Sequence, residues 1–486
     1  MHFAIGSFVL ITIKRGIYSV IKNLNKFVNI ITFLAIIFPS IAFAANRPLN
    51  MTEARSGISE ENVRIVLQFD SVPTYQVTAD PSGKNIRMDF SGVDAARAKN
   101  NVAVDGDIVQ SVDITNTQSG CNVLIALNQA VPYTVNTLQN PARVFIDIKR
   151  YYEHTTKRSI ESGLDYTAYD RRNADGVLKA YILDIDPSKF ELIPVLGGGR
   201  TLGKNTVSNM VHYYNAEAGV NASYFGGQKD VYGLTKIDGT VATTTYLART
   251  AFGMDTAGKA IIGIVNYSGS VHTKNGDFPI SGVNCDRSAD TIVEYNSFYG
   301  NSTGTNEYGI EYVVQDNKIV RINTNDTALR DGQIVISAHG VMKDALSGMK
   351  VGDEMTVNED LGDIWKNAVQ IVGVGPQLVK DGKVDVTADD EQIGPDVTGG
   401  RAPRTAAAIK ADGHVMLVVV DGRQSQSSGL TLNGFAQLLI DSGAIEAVNF
   451  DGGGSSEMVI GGQITNSPSD GMERPVGVAL AVVKKK

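Results

Sequence analysis

From residue 163 onwards the chain alternates short apolar runs with turns rich in Gly, Asp and Asn. Runs at 178–185, 191–195, 261–265, 311–314, 334–337 and 370–374 hold four to eight residues each, the length of strands rather than helices. A few stretches, notably 205–216 and 432–442, carry instead the apolar period of an amphipathic helix. The pattern predicts an α+β domain over 163–483, a mixed sheet with several helices.

Residues 47–150 follow a different rule, because they repeat. Val72-Pro73-Thr74-Tyr75-Gln76-Val77 recurs as Val131-Pro132-Tyr133-Thr134-Val135, and Ile86-Arg87-Met88-Asp89-Phe90 recurs as Val144-Phe145-Ile146-Asp147-Ile148. Strict alternation, as at Val63, Ile65, Leu67 and Phe69, marks half-buried strands, so two copies of one β unit predict a small all-β sandwich. The polar run 151–162 has no apolar period and reads as a linker.

Between 401 and 457 the pattern is most specific. Arg404 opens an apolar strand, Ala411-Asp412-Gly413 makes a turn, and a second strand runs from His414 to Val420. A hairpin centred on Asp412 sets Arg404 across from Val420 and so beside Asp421. Thr431 is placed to cap a helix whose apolar face is Leu432, Phe435, Leu438 and Leu439 and whose end is marked by Gly443. With the apolar run 445–450 behind it, this helix predicts a crossover between parallel strands, which puts Asp421 and Asp451 at one edge of the sheet. As neighbours those strands would lie ~4.8 Å apart, a spacing that suits the two carboxylates of a glycosidase.

Gly452, Gly453, Gly454 and Ser455 follow Asp451. Backbone without Cβ atoms can turn several N–H groups towards one anion, although a lone Asp-Gly-Gly-Gly equally fits a hairpin turn. Arg249-Thr250-Ala251 precedes Gly258 by the nine residues that separate Arg404 from Gly413, so a second arginine is expected at a hairpin start, a plain surface arginine being the alternative.

Composition narrows the classes. The 486 residues, 43% hydrophobic and 20% charged, suit two or three globular domains, and a net charge of −8 with mixed signs argues against a nucleic-acid partner. Cys121 and Cys285 imply no disulfide framework. The six histidines form no zinc-ligand pattern, and the glycine loop matches neither a P-loop nor G-x-S-x-G, so neither metal nor cofactor is expected. Residues 1–44 place Lys14, Arg15, Lys22 and Lys26 before an apolar run ending in Ala42-Phe43-Ala44, an export signal cut after Ala44 or else a retained anchor.

Asn221-Ala222-Ser223-Tyr224-Phe225-Gly226, Arg249-Thr250-Ala251, Gly373-Val374-Gly375-Pro376, Arg404-Thr405-Ala406, Asp421-Gly422-Arg423, the run from Ala447 to Ser455 and Asn466-Ser467-Pro468-Ser469-Asp470 together resemble the phosphodiester glycosidase family. The resemblance implies hydrolysis of a sugar-1-phosphodiester of the N-acetylglucosamine-1-phosphate kind. It makes Asp421, Asp451 and Arg404 the candidate catalytic residues and Asn221, Arg249, Gly452, Gly453, Gly454, Ser455, Asn466 and Arg474 the candidates for binding substrate. Residues 47–150 resemble the AMIN domain, which implies a peptidoglycan partner and a bacterial periplasmic or envelope location. The alternative is a glycan-binding envelope protein without catalysis.

Overall fold

A computed structural model of the chain describes residues 49–104, 106–173 and 175–485. The export signal expected over 1–44 lies outside them.

The N-terminal module is a two-sheet sandwich. The hairpin Leu49–Ile58 and Asn62–Phe69 pairs through its second strand with Arg143–Lys149, whose own hairpin partner is Tyr133–Leu138. In the other sheet Thr74–Ala79 and Asn85–Ser91 pair with Gly120–Leu127 and Val109–Thr117. Each sheet thus takes one hairpin from each copy of the repeat, and Val63, Ile65, Leu67, Val144, Ile146 and Ile148 meet Ile86, Met88, Val123 and Ile125 in one core.

The supposed linker is a strand. Tyr152–Glu161 is the edge of an eight-stranded sheet, antiparallel to Leu164–Asn173. Residues 153–159 are exposed, so the strand has no buried face whose apolar period would reveal it.

The rest of the chain is mostly β, which corrects the expectation of an α+β domain with several helices. Among the described residues the longest helix, Leu432–Asp441, has ten residues, and Val207–Tyr213 has seven. Apolar periodicity over 205–216 overran the real helix, which starts after the Thr206 cap and is stopped by Asn215 at φ 49°. The eight-stranded sheet continues from Leu164–Asn173 through Gly176–Ile185, Val415–Val420, Arg404–Lys410, Ala444–Asn449 and Gln377–Lys380 to Lys383–Val384. Every neighbouring pair in it is antiparallel; the mixed pairing expected occurs in another sheet, where Ile292–Tyr295 runs parallel to Gly282–Val283 and antiparallel to Ile334–His339.

Two local expectations decide where the site lies. The hairpin about Asp412 has the expected register, Arg404 opposite Val420. Val415–Val420 and Ala444–Asn449 do run parallel, but Arg404–Lys410 is inserted between them and pairs with both. Their ends are therefore about 10 Å apart rather than one strand spacing. A second sheet brings Ala218–Asn221 to the same edge, and its apolar face shares one core with the eight-stranded sheet through Val220, Leu417, Val419, Val448 and Phe450.

Candidate active site

Three chain segments meet at this edge. The Asp421-Gly422 turn and the 451–455 loop both rest on Pro403 and Arg404, where the intervening strand begins. A Cβ on Gly422 would lie 2.6 Å from the Pro403 nitrogen, and one on Gly452 would lie 2.9 Å from the Pro403 carbonyl, which Gly453 N–H already reaches at 3.0 Å. Glycine is required at both positions because a backbone passes where a side chain would be.

Asp451 follows Phe450, whose side chain is fully buried. The Asp451 N–H donates to the Ala222 carbonyl at 2.8 Å, and its own carbonyl accepts from Asn221 Nδ2 at 2.6 Å. The residue as a whole keeps some exposure, while its carboxyl is largely desolvated. Burial pushes its pKa up to about 6, against the pull of the Ser455 hydroxyl, the Gly452 N–H and the Arg474 charge; the Asp396 carboxylate pushes it further up. A carboxyl that changes charge near neutrality is suited to act as base or nucleophile.

Arg404 is 1% exposed, yet no carboxylate faces it among the described residues. Its Nε donates to the Leu430 carbonyl at 3.0 Å, Nη1 to Val397 at 2.8 Å and Nη2 to Gly400 at 3.1 Å. Arg249 is held in the same manner, through Nε to the Glu391 carbonyl at 3.2 Å and Nη2 to Gln392 at 3.1 Å. Segment 391–400 is thus a belt that fixes two guanidinium groups through main-chain oxygens, with no ion pair to either among the described residues. Both arginines open the first strand of a hairpin, Arg249 opposite Val265. Tyr224 lies within electrostatic reach of Asp451, Arg249 and Arg404, donates to the Gly375 carbonyl at 3.0 Å and accepts from Asn449 at 3.1 Å.

The remaining candidates divide. Arg474 is brought over the loop: a Cβ on Gly454 would lie 2.0 Å from its Nη2. It is also paired to Asp470 at 2.6 Å, so its charge is already partnered. Asn221 and Asn466 lie behind the site. Asn221 Oδ1 accepts from the Thr405 hydroxyl at 2.8 Å and the Glu457 N–H at 3.0 Å, and Asn466 joins Asp421, Ser456 and Met458. Their polar atoms are occupied by protein groups, so they hold the loops in place.

Asp421 is placed in the same way. It is 1% exposed, and its carboxylate accepts from Tyr181 Oη at 2.9 Å, Asn466 Nδ2 at 3.1 Å and Ser467 N–H at 2.9 Å. Burial raises its pKa and the three donors oppose that rise. Nor does it pair with Arg404, as their places opposite and beside Val420 suggested; the arginine is turned to the belt.

Sequence reasoning missed Tyr181, the belt with Asp396, Arg423 as a side chain at the loop, and Glu457. Glu457 is 2% exposed, and its pKa is raised to about 9 by burial and by Glu473, whose carboxyl it contacts. The Asp-Gly-Arg and Ser-Ser-Glu strings were visible signals for Arg423 and Glu457; nothing in the sequence pointed to Asp396.

A model of the phosphodiester glycosidase family matches residues 289–483, which carry the glycine loop, both aspartates, the belt and Arg404. These residues belong to the phosphodiester glycosidase family. An SPbeta prophage-derived uncharacterized protein of Bacillus subtilis (strain 168) is 35% identical over 134 residues, 28% of this chain and 20% of that protein. The N-acetylglucosamine-1-phosphodiester alpha-N-acetylglucosaminidase of Mus musculus is 25% identical over 174 residues, 32% of this chain and 33% of the enzyme. The chain therefore spans a fifth to a third of the length of these relatives. Among solved structures a Synechocystis protein shares the fold with a TM-score of 0.60 at 20% identity, over 90% of this chain and 81% of that one. A Burkholderia pseudomallei K96243 protein does so with a TM-score of 0.53 at 21% identity, over 85% and 96%.

Proposed function

We propose that this chain is an exported glycosidase. It hydrolyses a sugar-1-phosphodiester of the N-acetylglucosamine-1-phosphate kind in an envelope glycan or glycolipid, releasing the sugar and a phosphomonoester. The observation that carries the reading is the presence at one sheet edge of Asp451, a carboxyl that titrates near neutrality, and Arg404, a buried guanidinium without an ion-pair partner among the described residues. An uncompensated buried cation is costly, and a bound anion offsets that cost. The guanidinium fork matches phosphate oxygens bidentately, and the two Arg404 N–H groups not used by carbonyls remain to serve it, with Arg249 held on the same belt.

Asp451 acts at the sugar carbon, as nucleophile or as the base that activates water. A phosphate monoester is already a good leaving group, so the site needs little general acid and can concentrate on holding charge. Asp421, expected as the second carboxylate, is assigned a positioning role, because its oxygens are occupied by Tyr181, Asn466 and Ser467. The carboxylate whose charge reaches Asp451 is Asp396, exposed on the belt. The test is to run the reaction on an N-acetylglucosamine-1-phosphodiester in isotope-labelled water with EDTA present and to weigh both products. Label is expected in the sugar. Label in the phosphate, or activity lost to the chelator, moves the chain to a metal phosphodiesterase mechanism and overturns the proposal.

A further inference from the structure

Among the described residues, Arg423 is the guanidinium at this edge that the protein itself does not use. Its neighbours are tightly held. Asp421 is tethered by three donors, the Ser427 hydroxyl donates to the Asp421 carbonyl at 2.7 Å, and Gln424 Nε2 donates to the Ser467 carbonyl at 2.9 Å. Gln424 and Ser427 close the turn through reciprocal main-chain bonds of 3.1 and 3.2 Å. Within this frame Arg423 is exposed, and no hydrogen bond or ion pair engages its guanidinium among the described residues. Its backbone is at φ 59°, the left-handed region in which arginine is rare and strained.

A rigid turn that holds a strained arginine has a use for the side chain rather than the backbone. The side chain lies on the loop after Asp451: a Cβ on Gly453 would come within 3.2 Å of its Nη1 and 3.5 Å of its Nη2. The next glycine back, Gly452, rests against Arg404, whose Cδ would be 4.0 Å from a Cβ there. The two guanidinium groups are near enough for the Arg423 charge to lower the Arg404 pKa, and no ion pair engages either of them among the described residues. Arg474, by contrast, is neutralised by Asp470. An anion between two like charges that flank successive glycines of one loop relieves their repulsion and gains from both.

We propose that Arg423 is the second phosphate-binding residue, the solvent-side arm of a clamp whose fixed inner arm is Arg404, and that it takes this role in preference to Arg474. The assignment rests on the phosphodiester function proposed above and adds to it a specificity determinant: an anionic aglycone is selected over a neutral one.

The experiment is calorimetric titration of the full chain with inorganic phosphate and with N-acetylglucosamine-1-phosphate, for the native protein and for Arg423→Gln, Arg423→Gly and Arg474→Gln. Loss of one charge-assisted contact weakens binding about 10- to 100-fold, so both Arg423 variants should bind phosphate that much less tightly. Arg474→Gln should change it by less. Arg423→Gly should melt no lower than the native chain, since glycine accepts φ 59° without strain, which separates a ligand role from a structural one. Native-like phosphate affinity in Arg423→Gln overturns the role of Arg423 and leaves the proposed function intact. Absence of any phosphate binding by the native chain overturns both. Binding that depends on Arg423 in a chain that cleaves no sugar-1-phosphodiester upholds the clamp and rejects the reaction.

Discussion

At the scale of single residues, two aspartates that looked equivalent in the sequence are separated by what touches them. Asp451 is raised to about 6 by burial, so ionising it costs folding energy. A carboxyl whose folded pKa lies above its unfolded value contributes stability that is fully present below about pH 4 and is lost as pH rises through about 6. Asp451→Asn removes that loss. The variant should melt higher than the native chain at pH 7.5, by the equivalent of about 2 kcal/mol after allowance for partial exposure, with no difference at pH 4. Its turnover should fall at least ~1,000-fold, because an amide supplies neither nucleophile nor base. In the native chain the acid limb of kcat/KM should fall near pH 6. Asp421→Asn tests the other assignment. An amide still accepts from Asn466 and Ser467, so turnover should drop only about tenfold, the scale of one weakened hydrogen bond. If Asp421→Asn is as inactive as Asp451→Asn, Asp421 reacts with substrate and the positioning role is wrong.

At the scale of elements, what was legible is what local chemistry decides. The cap of Leu432–Asp441 is the predicted Thr431, whose hydroxyl accepts from the Gly434 N–H at 3.1 Å, and Gly443 follows at φ 103°. The Arg404 hairpin also has its predicted register, because one turn and two apolar strands specify it. Strand order was not legible: whether Val415–Val420 and Ala444–Asn449 are neighbours depends on which partner Arg404–Lys410 finds, a contact between distant segments. The belt was missed for the same reason, since 391–400 has no apolar period and owes its place to the Arg404 and Arg249 side chains. Arg404→Lys tests that link. One ammonium cannot reach three carbonyls in a fork geometry and hold a phosphate as well. Melting should therefore fall by several degrees and kcat/KM by about 100-fold or more. Native kinetics in this variant would exclude Arg404 from the phosphate site.

At the scale of the whole molecule, the chain joins a repeat-built sandwich to a larger β region that carries the site, and the two halves were legible to different degrees. The repeat announced its sandwich, since strict alternation over two copies leaves few other ways to bury Val63, Ile65, Leu67 and their counterparts. The larger region was legible as strands where short apolar runs lay between turns, as at Val415–Val420, and was misread in its share of helix, because the apolar period over 205–216 runs past the seven residues that are helical. Among the described residues no helix is long and apolar enough to cross a membrane. None of the residues assembled around Asp451 comes from the sandwich, so its contribution is expected to lie in placing the enzyme rather than in turnover. We expect the full chain to co-sediment with purified peptidoglycan. A chain lacking residues 1–150 should remain in the supernatant, with an unchanged kcat on a small soluble sugar-1-phosphodiester. The larger sheet does not depend on the sandwich for its edge, which Tyr152–Glu161 supplies from its own side of the boundary. Equal sedimentation of both chains would leave the sandwich as a spacer, and a loss of kcat on truncation would show that it takes part in the site.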